Sequence, residues 1–221
     1  MRTLIIVSHP DIAASSAQSF LAATAALESD NELVALDELP AAGRHELWDK
    51  VVAADRIILQ FPLYWYSAPA SLWAWLDDEW TDRHVSVGRD ATLRGKDLAL
   101  VVTTGHPDAA FRVGGLEKVS LDELMAPFWA LARKAGMVVV PAVYINDFAH
   151  QDDQERTQTY IRYRQLLSMR HPGAPEEMAA WFAQRAAALG DELIATELTD
   201  RDDDLGQLRG VVGDLRRGSD D

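Results

Sequence analysis

At 221 residues the chain is long enough for one sizeable α/β domain, whereas two complete domains would be cramped. Its 21 basic side chains against 35 acidic ones leave a formal charge of -14, which argues against nucleic acid or an anionic membrane surface as the main partner, because both reward basic patches. With no cysteine, disulfides, thiolate zinc sites and thiol catalysis are excluded.

In chain order the pattern alternates strand and helix. Residues 3–8 are a β-rich run, and 15–29 an Ala-rich helix with Phe20, Ala23 and Leu27 on one face. A short strand is expected at 32–37 and a short helix at 45–54. The continuous apolar run at 56–61 reads as a buried strand, 71–80 as a helix, and 97–104 as another strand that ends at Gly105. A helix at 121–136 stops at a glycine, and 137–145 is the fifth strand, with Pro141 placing it near an edge or bulge. Residues 151–169 read as a polar amphipathic helix and 176–198 as an Ala-rich one, separated by His-Pro-Gly-Ala-Pro. The charged end is expected to be mobile or docked on a partner. No apolar stretch approaches the roughly 18 residues of a membrane-spanning helix, and the N-terminus has no signal-peptide pattern, so the cytoplasm is the expected location.

Strands alternating with helices imply a mainly parallel, doubly wound sheet, which binds ligands at the carboxyl ends of its strands. Three loops then share one rim: 9–18, 62–67 and 103–112. The first, Ser-His-Pro-Asp followed by small residues, admits two readings. His9 and Asp11 resemble a metal-ligand pair, while Ser15, Ser16, Gln18 and Ser19 at a helix start offer hydroxyls and free amides to a phosphate. Plain N-capping by Ser15 or Ser16 explains the same residues. No Gly-rich phosphate loop of the common types is present. The second loop, Phe-Pro-Leu-Tyr-Trp-Tyr-Ser-Ala-Pro, is held by two prolines and could lie against a flat ring, or its aromatics could simply pack. In the third, Thr103 and Thr104 offer hydroxyls and Gly105 allows close approach to the main chain.

Taken together, "IIVSHP" with Ser15 and Gln18, "ADRIILQFPLYWYSAPASLWAWLD", "LRGKDLALVVTTG" and "LDELMAPFWALARKAGM" resemble the NAD(P)H:quinone oxidoreductase branch of the flavodoxin-like proteins, including the bacterial flavoproteins associated with potassium-efflux systems. The resemblance implies a flavodoxin-like three-layer sandwich whose five-stranded parallel sheet runs in the order 2-1-3-4-5. It places the flavin-binding domain in residues 1–170, with 171–221 as a helical and charged extension. It also implies non-covalent FMN or FAD. Ser15, Ser16, Ala17 and Gln18 would cradle the phosphate beside His9. Pro62, Leu63, Tyr64 and Trp65 would border the ring, and Thr103, Thr104, Gly105 and His106 would close its other edge. The implied activity is two-electron, ping-pong hydride transfer from NAD(P)H to a quinone or related acceptor, in a homodimer whose substrate site lies across the interface, with a possible role there for Trp73, Trp75 and Trp80. The alternative is a flavin-binding regulatory subunit, peripherally associated with a membrane transporter.

The chain departs from the family pattern in three places. The usual Gly-Gly after the threonines is Gly105-His106, the segment 82–90 lacks an aromatic Gly-Phe stretch, and the places of a tyrosine and a histidine that assist proton movement in mammalian members fall at Phe111 and Glu117. Phe111 cannot donate a proton, so that relay is not inherited intact. His106, Phe111 and Glu117 are the candidates nearest the chemistry, with the flavin itself as the reactive group. A zinc deacetylase is disfavoured because Ile12 replaces the second aspartate of His-Pro-Asp-Asp and the six histidines include no distal His-x-x-His. A serine hydrolase would need a Gly-x-Ser-x-Gly elbow that the sequence lacks.

Overall fold

The computed structural model describes residues 1–81, 85 and 92–199. The segment 82–90 apart from Val85, with His84, and the charged end from 200 onward lie outside the described residues, as do the expectations attached to them.

Strands β1 (Thr3–Val7), β2 (Asn31–Ala35), β3 (Arg56–Pro62) and β4 (Asp97–Thr104) are all parallel, and the sheet runs β2-β1-β3-β4 with the fifth strand beyond β4. β1 and β3 are buried along their whole length, which is why they read as near-continuous apolar runs rather than as alternating ones. The fifth strand is split into β5 (Val138–Val139) and β6 (Val143–Asn146), both paired with β4. Pro141 lies in the gap and has no N–H to give to β4, so the ladder stops after Val140 bonds Leu98 and resumes at Val143.

Helices α1 (Ser16–Ala25), α2 (Ala41–Ala53) and α3 (Ala70–Glu79) follow the first three strands. The expected helix at 121–136 is two helices, α4 (Leu121–Leu124) and α5 (Ala126–Ala135). Pro127 cannot donate to the carbonyl four residues back, so the chain restarts there. Ser120 and Glu123 form a capping box at the start of α4, and Gly136 closes α5 at φ 69°, a left-handed position that glycine adopts without strain. Two further helices are α6 (Asp153–Ser168) and α7 (Pro175–Ala188), and residues 192–199 are also helical.

Strand alternation sorts the core into two layers. Leu4, Ile57, Leu59, Phe61, Leu98 and Leu100 face Val51 of α2, Trp75 of α3 and Phe128 of α5. On the other face, Ile5, Val7, Ile58 and Val101 meet Leu21 of α1 and Tyr163 and Leu166 of α6. The arrangement is a three-layer sandwich. A buried pair anchors its lower edge: Arg56, 0% exposed, donates to Asp97 at 2.8 Å and to the Leu166 carbonyl. The chain forms two compact units, Met1–Ser168 and a second that begins at Met169.

Candidate functional site

In-register pairing of Val7 with Gln60, Gln60 with Val101 and Pro62 with Thr103 brings the carboxyl ends of β1, β3 and β4 to one level. The three loops are joined there by backbone bonds. Ser8 N–H donates to the Gln60 carbonyl at 2.9 Å, and Leu63 N–H to the Thr103 carbonyl at 2.8 Å.

The first loop is organised by its own side chains. The Asp11 amide donates to His9 Nδ1 at 3.0 Å, which leaves Nε2–H as the donor of the neutral ring, and the Asp11 carboxylate accepts the Ala14 amide at 2.9 Å. Ser15 is the N-cap of α1 and takes the Gln18 amide at 3.3 Å. Among the described residues no protein acceptor takes the amides of Ser16 or Ala17, the Ser16 side chain is exposed, and the first turn carries no acidic residue. The helix therefore presents unpaired donors and the positive end of its dipole to an incoming anion. Ser8, which the sequence reading passed over, is fully buried and bonds Ser71 at 2.8 Å and Asp37 at 3.3 Å.

The second loop is a tight turn. Tyr64 and Ser67 exchange backbone bonds of 2.9 and 3.0 Å around Trp65 (φ 49°) and Tyr66 (φ 66°). Two successive left-handed residues make a type I′-like reversal, at about 1–2 kcal/mol for each non-glycine residue. The surrounding prolines and the Leu63 bond hold it, and strain of this kind collects at ligand sites. Trp65 is 91% exposed, and the amides of Trp65 and Tyr66 have no protein acceptor among the described residues. These aromatics do not form core. Trp75 does, at 1% exposure, whereas Trp73 and Trp80 are half-buried and Trp73 stacks on Phe128.

In the third loop the Thr104 hydroxyl donates to the His106 carbonyl at 2.8 Å and lies 2.9 Å from Asn146 Oδ1. A Cβ built on Gly105 would meet nothing within 4 Å, so the main chain there borders open space. Glu117 is drawn back to this loop because its amide bonds the Ala110 carbonyl at 3.0 Å, and Gly115 permits the crossing: a Cβ there would sit 2.4 Å from the Ala110 oxygen. The Glu117 carboxylate accepts the Tyr66 hydroxyl at 2.7 Å and lies 3.9 Å from His106 Nε2. That bond and the carboxylate charge push the Tyr66 phenol above its ordinary pKa. Of the three residues expected nearest the chemistry, His106 and Glu117 thus meet at the rim. Phe111 is instead packed with Ala110 and Leu121 against Leu63, Leu124 and Tyr144.

Gln18 differs from its neighbours in that its side chain points inward. It joins Thr103 at 3.3 Å and Gln60 at 2.7 Å, and Gln60 in turn receives the Tyr163 hydroxyl at 2.8 Å. Gln60 had a local signal, a polar residue inside an apolar strand. Tyr163, on a distant helix, had none.

Residues 1–167 match the family described as having a flavodoxin-like fold. A relative in Bacillus subtilis (strain 168), named uncharacterized NAD(P)H oxidoreductase YdeQ, is 31% identical over 74% of this chain and 86% of its own. The solved structure of an NADPH-quinone reductase from P. pentosaceus is 36% identical, covers 76% of this chain and 99% of its own, and superimposes with a TM-score of 0.70. General stress protein 14 from Treponema denticola, solved in complex with FMN, is 26% identical, covers 76% of this chain and 98% of its own, and gives a TM-score of 0.66. With three-quarters of its length in the match and the sheet order observed, the chain belongs to this family of flavodoxin-like proteins.

Proposed function

We propose that the protein is a flavin-dependent NAD(P)H oxidoreductase that reduces a quinone or a related small acceptor. The observation that carries the reading is the start of α1, where exposed Ser16 and two unpaired amides meet a turn free of acidic residues. That donor set suits a phosphate monoester, and open space beside Gly105 suits a flat ring laid close to the main chain. The FMN-bound Treponema relative supports FMN over FAD, and the names of the Bacillus and P. pentosaceus relatives support a nicotinamide donor and a quinone acceptor.

In this reading Ser15, Ser16, Ala17 and the backbone of Gln18 hold the phosphate beside His9. Pro62, Leu63, Tyr64 and Trp65 border the ring, and Thr103, Thr104, Gly105 and His106 close its other edge. When bound, the flavin supplies the redox chemistry, taking hydride from NAD(P)H and passing it to the acceptor. The chain's own part is positional. The Trp65–Tyr66 turn presents two free amides to the ring's polar edge and an apolar face to donor and acceptor in turn. Glu117 fixes Tyr66 at the rim.

Trp65, Val113 and Leu116 leave large apolar surfaces at the rim. Cover by a second copy accounts for them, so we infer a homodimer with a shared substrate site, acting in the cytoplasm. The flavin domain is taken as residues 1–170, with the remainder as a helical and charged extension. Steady-state kinetics test the reading: parallel double-reciprocal lines with NADH or NADPH against a benzoquinone are expected. Failure of FMN-loaded protein to oxidise either nicotinamide overturns it.

A further inference from the structure

Four polar side chains form a single file from the interior to the rim. The Tyr163 hydroxyl donates to Gln60 Oε1 at 2.8 Å, Gln60 Nε2 to Gln18 Oε1 at 2.7 Å, and Gln18 Nε2 to Thr103 Oγ1 at 3.3 Å. Tyr163, Gln60 and Gln18 are each 0% exposed, whereas Thr103 keeps 8%.

Such a file has two senses. A carboxamide is a donor at one end and an acceptor at the other, so turning both glutamines over reverses every bond together. In the reversed sense Thr103 donates inward, Tyr163 accepts, and the phenolic hydrogen of Tyr163 has no acceptor among the described residues. An unmade hydrogen bond in a fully buried place disfavours that sense by roughly 5- to 150-fold. In the observed sense the Tyr163 phenol and both glutamine Nε2 atoms each donate within the file. The hydroxyl hydrogen of Thr103, at the member of the file that reaches the surface, has no protein acceptor among the described residues.

From this polarity we infer that Tyr163, Gln60 and Gln18 are positioning residues that hold the Thr103 hydroxyl as an outward donor to an acceptor atom, a carbonyl oxygen or imine nitrogen, on the edge of the bound flavin ring. The inference rests on the flavin reading above. It gives the buried polar file a role in ligand recognition as well as in core specification, although the side chains of three of its four members do not touch the ring.

The test is a cycle of FMN affinities, read by fluorescence quenching on the full chain, with thermal melts to establish folding. Thr103→Val removes the hydroxyl and is expected to weaken FMN roughly 2- to 10-fold, the worth of one neutral hydrogen bond. In Gln60→Glu, assayed at a pH high enough to ionise the buried carboxyl group, the carboxylate accepts from both neighbours. Gln18 then turns over, and Thr103 donates inward. A comparable loss is expected, which recovers as the pH is lowered and the carboxyl group becomes a donor again. Combining the two changes should weaken FMN no further than Thr103→Val alone. Should Gln60→Glu not fold, Tyr163→Phe is the second variant: it removes the bias between senses, and its expected loss of about twofold is absent in the Thr103→Val background. Additive losses, or an unaltered affinity in Thr103→Val, would overturn the inference while leaving the flavin reading in place. Wild-type protein that takes up no FMN would overturn both.

Discussion

Tyr66 and Glu117, which lie 51 positions apart, meet at the rim through a 2.7 Å bond from the phenol to the carboxylate. It fastens the strained turn after β3 to the loop after β4, which are also joined by the backbone bond between Leu63 and Thr103 and by the packing of Phe111 and Ala110 with Leu63. Glu117→Gln keeps an acceptor but removes the charge that opposes phenolate formation, so the Tyr66 pKa should fall towards 10.0. Phenolate difference absorbance, with Tyr66→Phe as the blank, measures it. A Tyr66 titration identical in wild type and variant would mean that the pair does not persist in solution.

Ser16→Glu separates ligand from fold. A carboxylate in the first turn of α1 complements the helix dipole by about 0.3–1 kcal/mol, so the ligand-free protein should melt no lower than wild type. The same carboxylate occupies the phosphate position, and flavin affinity should fall by more than about tenfold through like-charge repulsion and lost donors. Retained affinity in an isothermal titration would place the phosphate elsewhere.

Gly105→Ala makes the complementary test at the ring edge. Because a Cβ there meets nothing within 4 Å, the substitution should change stability by no more than about 0.5 kcal/mol. A ring that approaches the main chain at this point would meet the added methyl. Flavin affinity should therefore drop several-fold while the denaturation midpoint stays put. Unchanged affinity would show that the ring keeps its distance from Gly105.

His150 supplies a pH dependence. Its hydrogen bond to Asp147, at 2.6 Å, raises the imidazole pKa above 6.5. The stability owed to this pair is fully present below the unfolded value and is lost as pH rises through the higher folded one. In Asp147→Asn the His150 proton resonances should titrate at lower pH than in wild type. An unshifted midpoint would contradict the pairing.

Much of the fold was legible because β1, β3 and β4 are buried on both faces and read as near-continuous apolar runs, with helical periodicity between them. Two departures come from proline. Pro141 interrupts the fifth strand and Pro127 divides the helix at 121–136, each by removing a single backbone donor. At the site, the three loops were recognisable from their hydroxyls, prolines and Gly105. The inward turn of Gln18 was not, since its partners Gln60 and Thr103 lie 42 and 85 positions away and only the packed sheet brings them together. The left-handed turn at Trp65 and Tyr66 was equally hidden, because neither residue type favours positive φ and tertiary contacts override local preference there.

The most direct measurement is the absorption spectrum of the purified protein, taken with and without added FMN and then with NAD(P)H under anaerobic conditions. The account predicts flavin bands that belong to bound cofactor and bleach when the nicotinamide is added. A colourless protein that binds no added FMN would contradict it.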